Sequence, residues 1–157
     1  MEGQSVVLTI DAGLNGTGVA IWTSRLTFIK ALNLYAPKKL EWQDKGHYII
    51  SKILQQRTCG YNIKNVYVEY PAFFQSVGGE MVARRGDLVK LTWFVGLVCG
   101  VFYPIKVNLI TVMEWKGQLP KEVVERRIKK AHPEYVGYKD HCIDAIGIGL
   151  YVKGEFK

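Results

Sequence analysis

Four side chains, drawn from three distant stretches of the chain, have the types needed to handle a divalent cation: Asp11, Glu69, His141 and Asp144. Asp11 ends the apolar run VVLTID, Glu69 ends NVYVE, and His141 and Asp144 stand three residues apart in DHCIDAIGIGLYVK. An isolated carboxylate is costly to bury, and two side by side repel. A divalent cation relieves both costs. Residues three apart share a face of a helix, so His141 and Asp144 point the same way if their segment is helical. Oxygen-rich donors suit Mg²⁺ or Mn²⁺, and a histidine tilts the balance toward Mn²⁺. Two such ions about 4 Å apart activate a water and steady a leaving oxygen, the chemistry of phosphodiester cleavage. Asp140, four residues before Asp144, is either the N-cap of the closing helix or a reserve ligand.

The elements must bring these groups together. Residues 6–11 read as a buried strand, and Asn15-Gly16 gives a hairpin signal because both residues tolerate positive φ. Residues 17–23 then return antiparallel, and residues 27–35 add a third strand ahead of Pro37. In residues 41–57, Trp42, Ile49, Ile50, Ile53 and Leu54 fall at helical spacing. A fourth strand spans residues 65–71, a long helix runs from about Met81 to Phe102, and a fifth strand covers residues 105–112. Pro120 opens the next helix and His132-Pro133 ends it. Residues 140–153 form the closing helix, weakened by Gly147 and Gly149. The fourth strand follows a helical crossover, so it lies parallel beside the first, on the side away from the hairpin. The expected architecture is α/β: a five-stranded mixed sheet of order 3-2-1-4-5 with helices on both faces. It sets the carboxyl ends of strands one and four side by side, the end where open α/β sheets take ligands.

The length of 157 residues predicts one domain, spanning residues 1–157. A hydrophobic fraction of 48% excludes a disordered chain. A net charge of +7 points to a polyanionic partner, nucleic acid first. Cys59, Cys99 and Cys142 are widely spaced and form no Cys-x-x-Cys pair, which argues against a zinc ribbon and for reduced thiols. MEGQSVVLTI lacks the features of a signal peptide. Residues 88–102 are the most apolar stretch, but Lys90 interrupts them and they fall short of the ~20 residues of a membrane span. The expected location is cytoplasmic, with no membrane partner. Gly13, Gly16 and Gly18 lead into a strand and not a helix, so they do not form a dinucleotide fingerprint. No nucleotide cofactor is expected.

The stretches TIDAGLNGTGVAIW, VYVEYP and HCIDAIGIGLY, in that order, resemble the RuvC family of Holliday junction resolvases, nucleases of the ribonuclease H fold. The order of elements matches along nearly the whole chain. Most members carry Asp at the position of His141. The resemblance implies a homodimer that cuts opposing strands of four-way branched DNA, with two Mg²⁺ or Mn²⁺ ions per site held by Asp11, Glu69, His141 and Asp144. It also places an aromatic just past the strand glutamate at the junction centre, the position of Phe73 or Phe74. The basic stretch ahead of the fourth helix is shortened here to EWKGQLPKE, as in compact phage-type members.

Alternatives stand beside these readings. Asp11 before glycine also fits a turn cap. Phe73 and Phe74 also fit plain loop packing. Arg84, Arg85, Lys116 and Lys121 are the candidate DNA contacts, whereas Arg126, Arg127, Lys129 and Lys130 also fit a solvated helix face. Gly96 and Gly100, four apart in the apolar helix, fit close packing on the sheet or a twofold partner helix. At the level of function, the same fold serves nucleases acting on other branched or single-stranded nucleic acid. A branch-binding protein without catalysis is the non-enzymatic alternative.

Overall fold

The computed structural model describes residues 3–71 and 86–156. Its sheet contains β1 (Gln4–Asp11), β2 (Gly16–Thr23), β3 (Phe28–Tyr35), β4 (Tyr61–Tyr70) and β5 (Val107–Thr111). The strand order is β3-β2-β1-β4-β5, as the connectivity predicts. β1 pairs antiparallel with β2 and parallel with β4, and β4 pairs parallel with β5. The helices are α1 (Trp42–Thr58), α2 (Asp87–Phe102), the single turn α3 (Val112–Trp115), α4 (Lys121–Ala131) and α5 (His141–Lys153).

Side chains alternate across a strand, and here the alternation sorts two cores. Val6, Leu8 and Ile10 of β1 join Val19 and Ile21 of β2 against Ile49, Ile50 and Ile53 of α1 and Phe94, Val98 and Phe102 of α2. Val7 of β1 with Ala20 and Trp22 of β2 face the other way, onto Ile143, Ile146 and Leu150 of α5 and Val124 and Ile128 of α4. Helices therefore cover both faces. Asp11 has the parity of Val7 and Thr9 and so lies on the α5 face. In β4, Val66 and Val68 belong to the first core while Tyr67 packs on the second, which puts Glu69 on the α5 face as well.

Four local features differ from the sequence reading. β4 starts at Tyr61 rather than residue 65, because Gln4, Ser5 and Val6 of β1 offer partners to Tyr61, Asn62 and Ile63. A bulge then skips Lys64 and restores the pairing at Val7 and Asn65, which keeps the apolar parity. The β1–β2 turn does not use positive φ at Asn15 or Gly16; among the described residues positive φ falls at Leu26, Asp140, Gly60, Gly86, Gly117 and Gly154. Instead the Thr17 hydroxyl closes the turn, donating to the Gly13 carbonyl at 2.7 Å and accepting from the Gly13 N–H at 3.2 Å. The chain after β5 turns at once into α3, where Thr111 and Glu114 form a reciprocal capping box. Of the long apolar helix, residues 81–85 lie outside the described residues, and α2 begins at Asp87 behind Gly86.

Gly147 and Gly149 are packing positions rather than weaknesses. A Cβ on Gly147 would lie 2.6 Å from the Trp115 ring, and one on Gly149 would lie 2.1 Å from the Trp22 ring. Both indoles reach the helix backbone because those positions carry no side chain. Among the described residues no helix is long and apolar enough to cross a membrane.

Candidate active site

The start of α5 is fixed onto the hairpin beside Asp11. Asp11 pairs with Gly18 in the β1–β2 ladder, and a Cβ on Gly18 would lie 1.9 Å from the His141 carbonyl oxygen. Only a bare backbone lets the helix come this close. Below it, the buried Thr9 hydroxyl donates to the Ala145 carbonyl at 2.7 Å and accepts from the Trp22 indole at 2.9 Å. From β3, the Asn33 side chain accepts from the Cys142 N–H at 2.8 Å and donates to the Lys139 carbonyl at 3.2 Å. Asn33 thereby supplies the cap. Asp140, at φ 53°, occupies the N-cap position without a side-chain capping bond, and its carboxylate accepts from the Tyr35 hydroxyl at 3.1 Å.

This docking gathers the four predicted groups. Asp11 and Asp144 are buried, Glu69 is 17% exposed and His141 34% exposed at their side chains. Each acid meets its own partner. His141 Nδ1 lies 2.7 Å from Asp11 Oδ2. Lys121 Nζ lies 3.4 Å from Asp144 Oδ2, and Lys116 Nζ lies 3.8 Å from Glu69 Oε2. The Trp115 indole also donates to Glu69 Oε2, at 2.8 Å. Lys116 stands over the Trp115 ring, 4.6 Å from its centroid.

The acids feel one another. Burial first, then the charge of Asp11, pushes the Glu69 carboxyl up to about 7; Lys116 and the Trp115 bond pull the other way. Burial and then Asp11 likewise raise the Asp144 carboxyl, against Lys116 and Lys121. His141 is raised above the ordinary histidine value, chiefly by its bond to Asp11, although burial opposes this. Carboxyls raised by burial and by one another are a mark of functional sites.

The donor set has the chemistry of a divalent-cation site. Three mutually repelling carboxylates and an imidazole converge there, and Asp144 Oδ1 is buried without a hydrogen-bond partner. Among the described residues no three His, Cys, Asp or Glu side chains already form a cage for a metal ion, and the acids are engaged instead by Lys116, Lys121, His141 and Trp115. The residues fit the group by type and charge, with the lysines able to yield carboxylate oxygens to a stronger cation.

Of the predicted DNA contacts, Lys116 and Lys121 sit at this cluster, while Phe73, Phe74, Arg84 and Arg85 lie outside the described residues. Trp115 and Asn33 were not anticipated. The T-x-x-E pattern of Thr111–Glu114 signals a helix that would aim Trp115 back at the sheet; Asn33 carries no comparable signal in its strand.

These elements in this order define the ribonuclease H-like fold. Among solved structures, the chain is similar to T. thermophilus RuvC in complex with a Holliday junction substrate, with a TM-score of 0.61, 20% identity and 96% of each chain covered. It is also similar to the fowlpox virus resolvase in complex with substrate Holliday junction DNA, with a TM-score of 0.50, 16% identity, and 97% of this chain and 99% of that one covered. No protein-family model and no curated protein matches the sequence.

Proposed function

We propose that this chain is a metal-dependent DNA endonuclease, one nuclease domain that acts as a homodimer and resolves four-way junctions by paired symmetric nicks. The observation that carries the reading is the meeting of Asp11, Glu69, His141 and Asp144, from three distant segments, at the carboxyl ends of β1 and β4. The likeness to two resolvases solved with junction DNA supports the substrate class. Asp11, Glu69, His141 and Asp144 would hold two Mg²⁺ or Mn²⁺ ions, which would supply Lewis acidity for phosphodiester cleavage. The protein's own groups do the rest. The contact of His141 Nδ1 with Asp11 Oδ2 holds the imidazole in place beside the acids. Lys116 and Lys121, now on the acids, turn to the phosphate once the carboxylates are otherwise engaged. Gly96 and Gly100 present bare backbone on α2, where an added Cβ would meet nothing within 4 Å, which suits a close twofold helix contact.

The test is cleavage of a synthetic four-way junction, a fork and an RNA–DNA hybrid at equal concentration with Mg²⁺ or Mn²⁺. Symmetric, ligatable nicks in the junction, absent from Asp11→Asn and Glu69→Gln, are the expected result. Equal cutting of all three substrates moves the assignment to a general nuclease. Junction binding without any cutting moves it to a non-catalytic branch binder.

A further inference from the structure

A cavity of about 550 Å³ opens beside His141, between the β1–β2 turn and the end of β3, lined by Asn15, Gly16, Tyr35, Ala36, Lys38 and His141. Its size falls within the ~300–1,000 Å³ range of small-ligand pockets. Its walls combine an aromatic ring, two small residues, an amide and an ammonium, next to the acid cluster.

The ring is held in place. Tyr35 is 54% exposed, yet its hydroxyl donates to Asp140 and its edge meets the His141 ring at a centroid distance of 6.3 Å. A Cβ on Gly16 would lie 2.9 Å from the Tyr35 ring and 2.8 Å from the His141 ring. Glycine there leaves the space between the two rings open. Lys38 is exposed at the rim, and the carboxylate of Asp140 is occupied by the tyrosine hydroxyl, while that of Asp11 is engaged by His141.

We propose that this cavity is a nucleotide subsite: Tyr35 stacks on a base of the bound strand and Lys38 takes its phosphate. This rests on the nuclease reading for the further step that the base belongs to the nucleotide adjoining the scissile phosphate. Because His141 is shared between cavity and acid cluster, whatever fits the cavity sets which phosphate meets the acids. The subsite is thus a determinant of where the strand is cut. Stacking of one base on an aromatic side chain corresponds to about a 5- to 150-fold change in affinity.

The experiment uses the full chain with chelator present and a single-stranded oligonucleotide carrying 2-aminopurine, whose fluorescence is quenched on stacking. Wild type, Tyr35→Phe and Tyr35→Trp should quench it. Tyr35→Ala should lose the quenching and bind about 5- to 150-fold more weakly, and Lys38→Ala should bind more weakly with quenching retained at saturation. Urea midpoints equal to wild type establish that the exposed substitutions leave the fold intact. In the divalent-cation arm, Tyr35→Ala should redistribute the cut positions on a junction with a mobile core. Unchanged quenching and affinity in Tyr35→Ala overturns the subsite. Intact Tyr35-dependent quenching with no cutting by wild type supports the subsite and overturns the nuclease reading instead.

Discussion

Replacing Glu69 by Gln should stabilise the metal-free protein at alkaline pH while abolishing its cutting. The Glu69 carboxyl, ordinarily at 4.5, is pushed up to about 7 by burial and by Asp11. Below 4.5 both folded and unfolded chains hold the proton, so this residue adds no pH dependence. Between 4.5 and about 7 the unfolded chain releases it and the folded chain keeps it, which favours unfolding. Each pH unit in that window removes ~1.4 kcal/mol, hence ~3 kcal/mol in all, and above about 7 the loss is complete. The side chain is only 17% exposed, so solvent screening leaves most of this effect in place. Gln stays neutral, and its amide oxygen can still accept from Trp115. Urea unfolding with chelator, followed by tryptophan fluorescence from about pH 4.5 to 8.5, gives the difference between the two proteins. It should be near zero at the acid end and grow to ~3 kcal/mol in favour of Gln, or roughly 6–12 °C in Tm. Asp144 also adds a falling slope to both proteins. Added Mg²⁺ or Mn²⁺ should stabilise wild type more than the variant. Parallel curves across the window, or a wild type that is the more stable at its alkaline end, would refute the account of a site held together against its own charge.

Trp115→Phe removes the donor to Glu69, so the Glu69 carboxyl should move further up; ¹³C NMR titration of the carboxyl in metal-free protein reads the midpoint. Asn33→Ala removes the cap on the Cys142 N–H and should cost about 1 kcal/mol in urea unfolding, with faster amide exchange at Cys142. Because Asp11 raises His141, its protonation on lowering the pH begins above the ordinary value near 6.5. If cutting needs neutral His141, the acid limb of the pH–rate profile should lie above that value in wild type and change in His141→Asp.

The connectivity was legible because it depends on long-range regularities. Alternating apolar residues in β1 and β2 and the helical crossover into β4 leave one sheet order, and the observed order is that one. The acids were legible for the same reason, since each ends or begins an apolar segment whose neighbours were already placed. What stayed hidden was set by tertiary contact. The polar start of β4 becomes strand only because β1 offers it partners. Asn15-Gly16 keeps negative φ because Thr17 satisfies the turn through its side chain. Asp140 has the right residue type for a cap but loses the role to Asn33, which reaches Cys142 from 109 positions away in sequence.

The glycines carry the remaining physical link between sequence and site. Gly18 on β2 and Gly149 on α5 each sit where an added Cβ would come within 2.1 Å of a neighbour, and Gly147 where it would come within 2.6 Å. By propensity alone they weaken the helix and the strand that carry them. By packing they let α5 descend onto the hairpin until Asp144 and His141 reach Asp11. A side chain at Gly18 would lift the helix start by its own width, and that movement would carry His141 and Asp144 away from Asp11. Close helix docking and the raised Asp144 carboxyl, pushed up by burial and then by Asp11, are therefore two consequences of one contact.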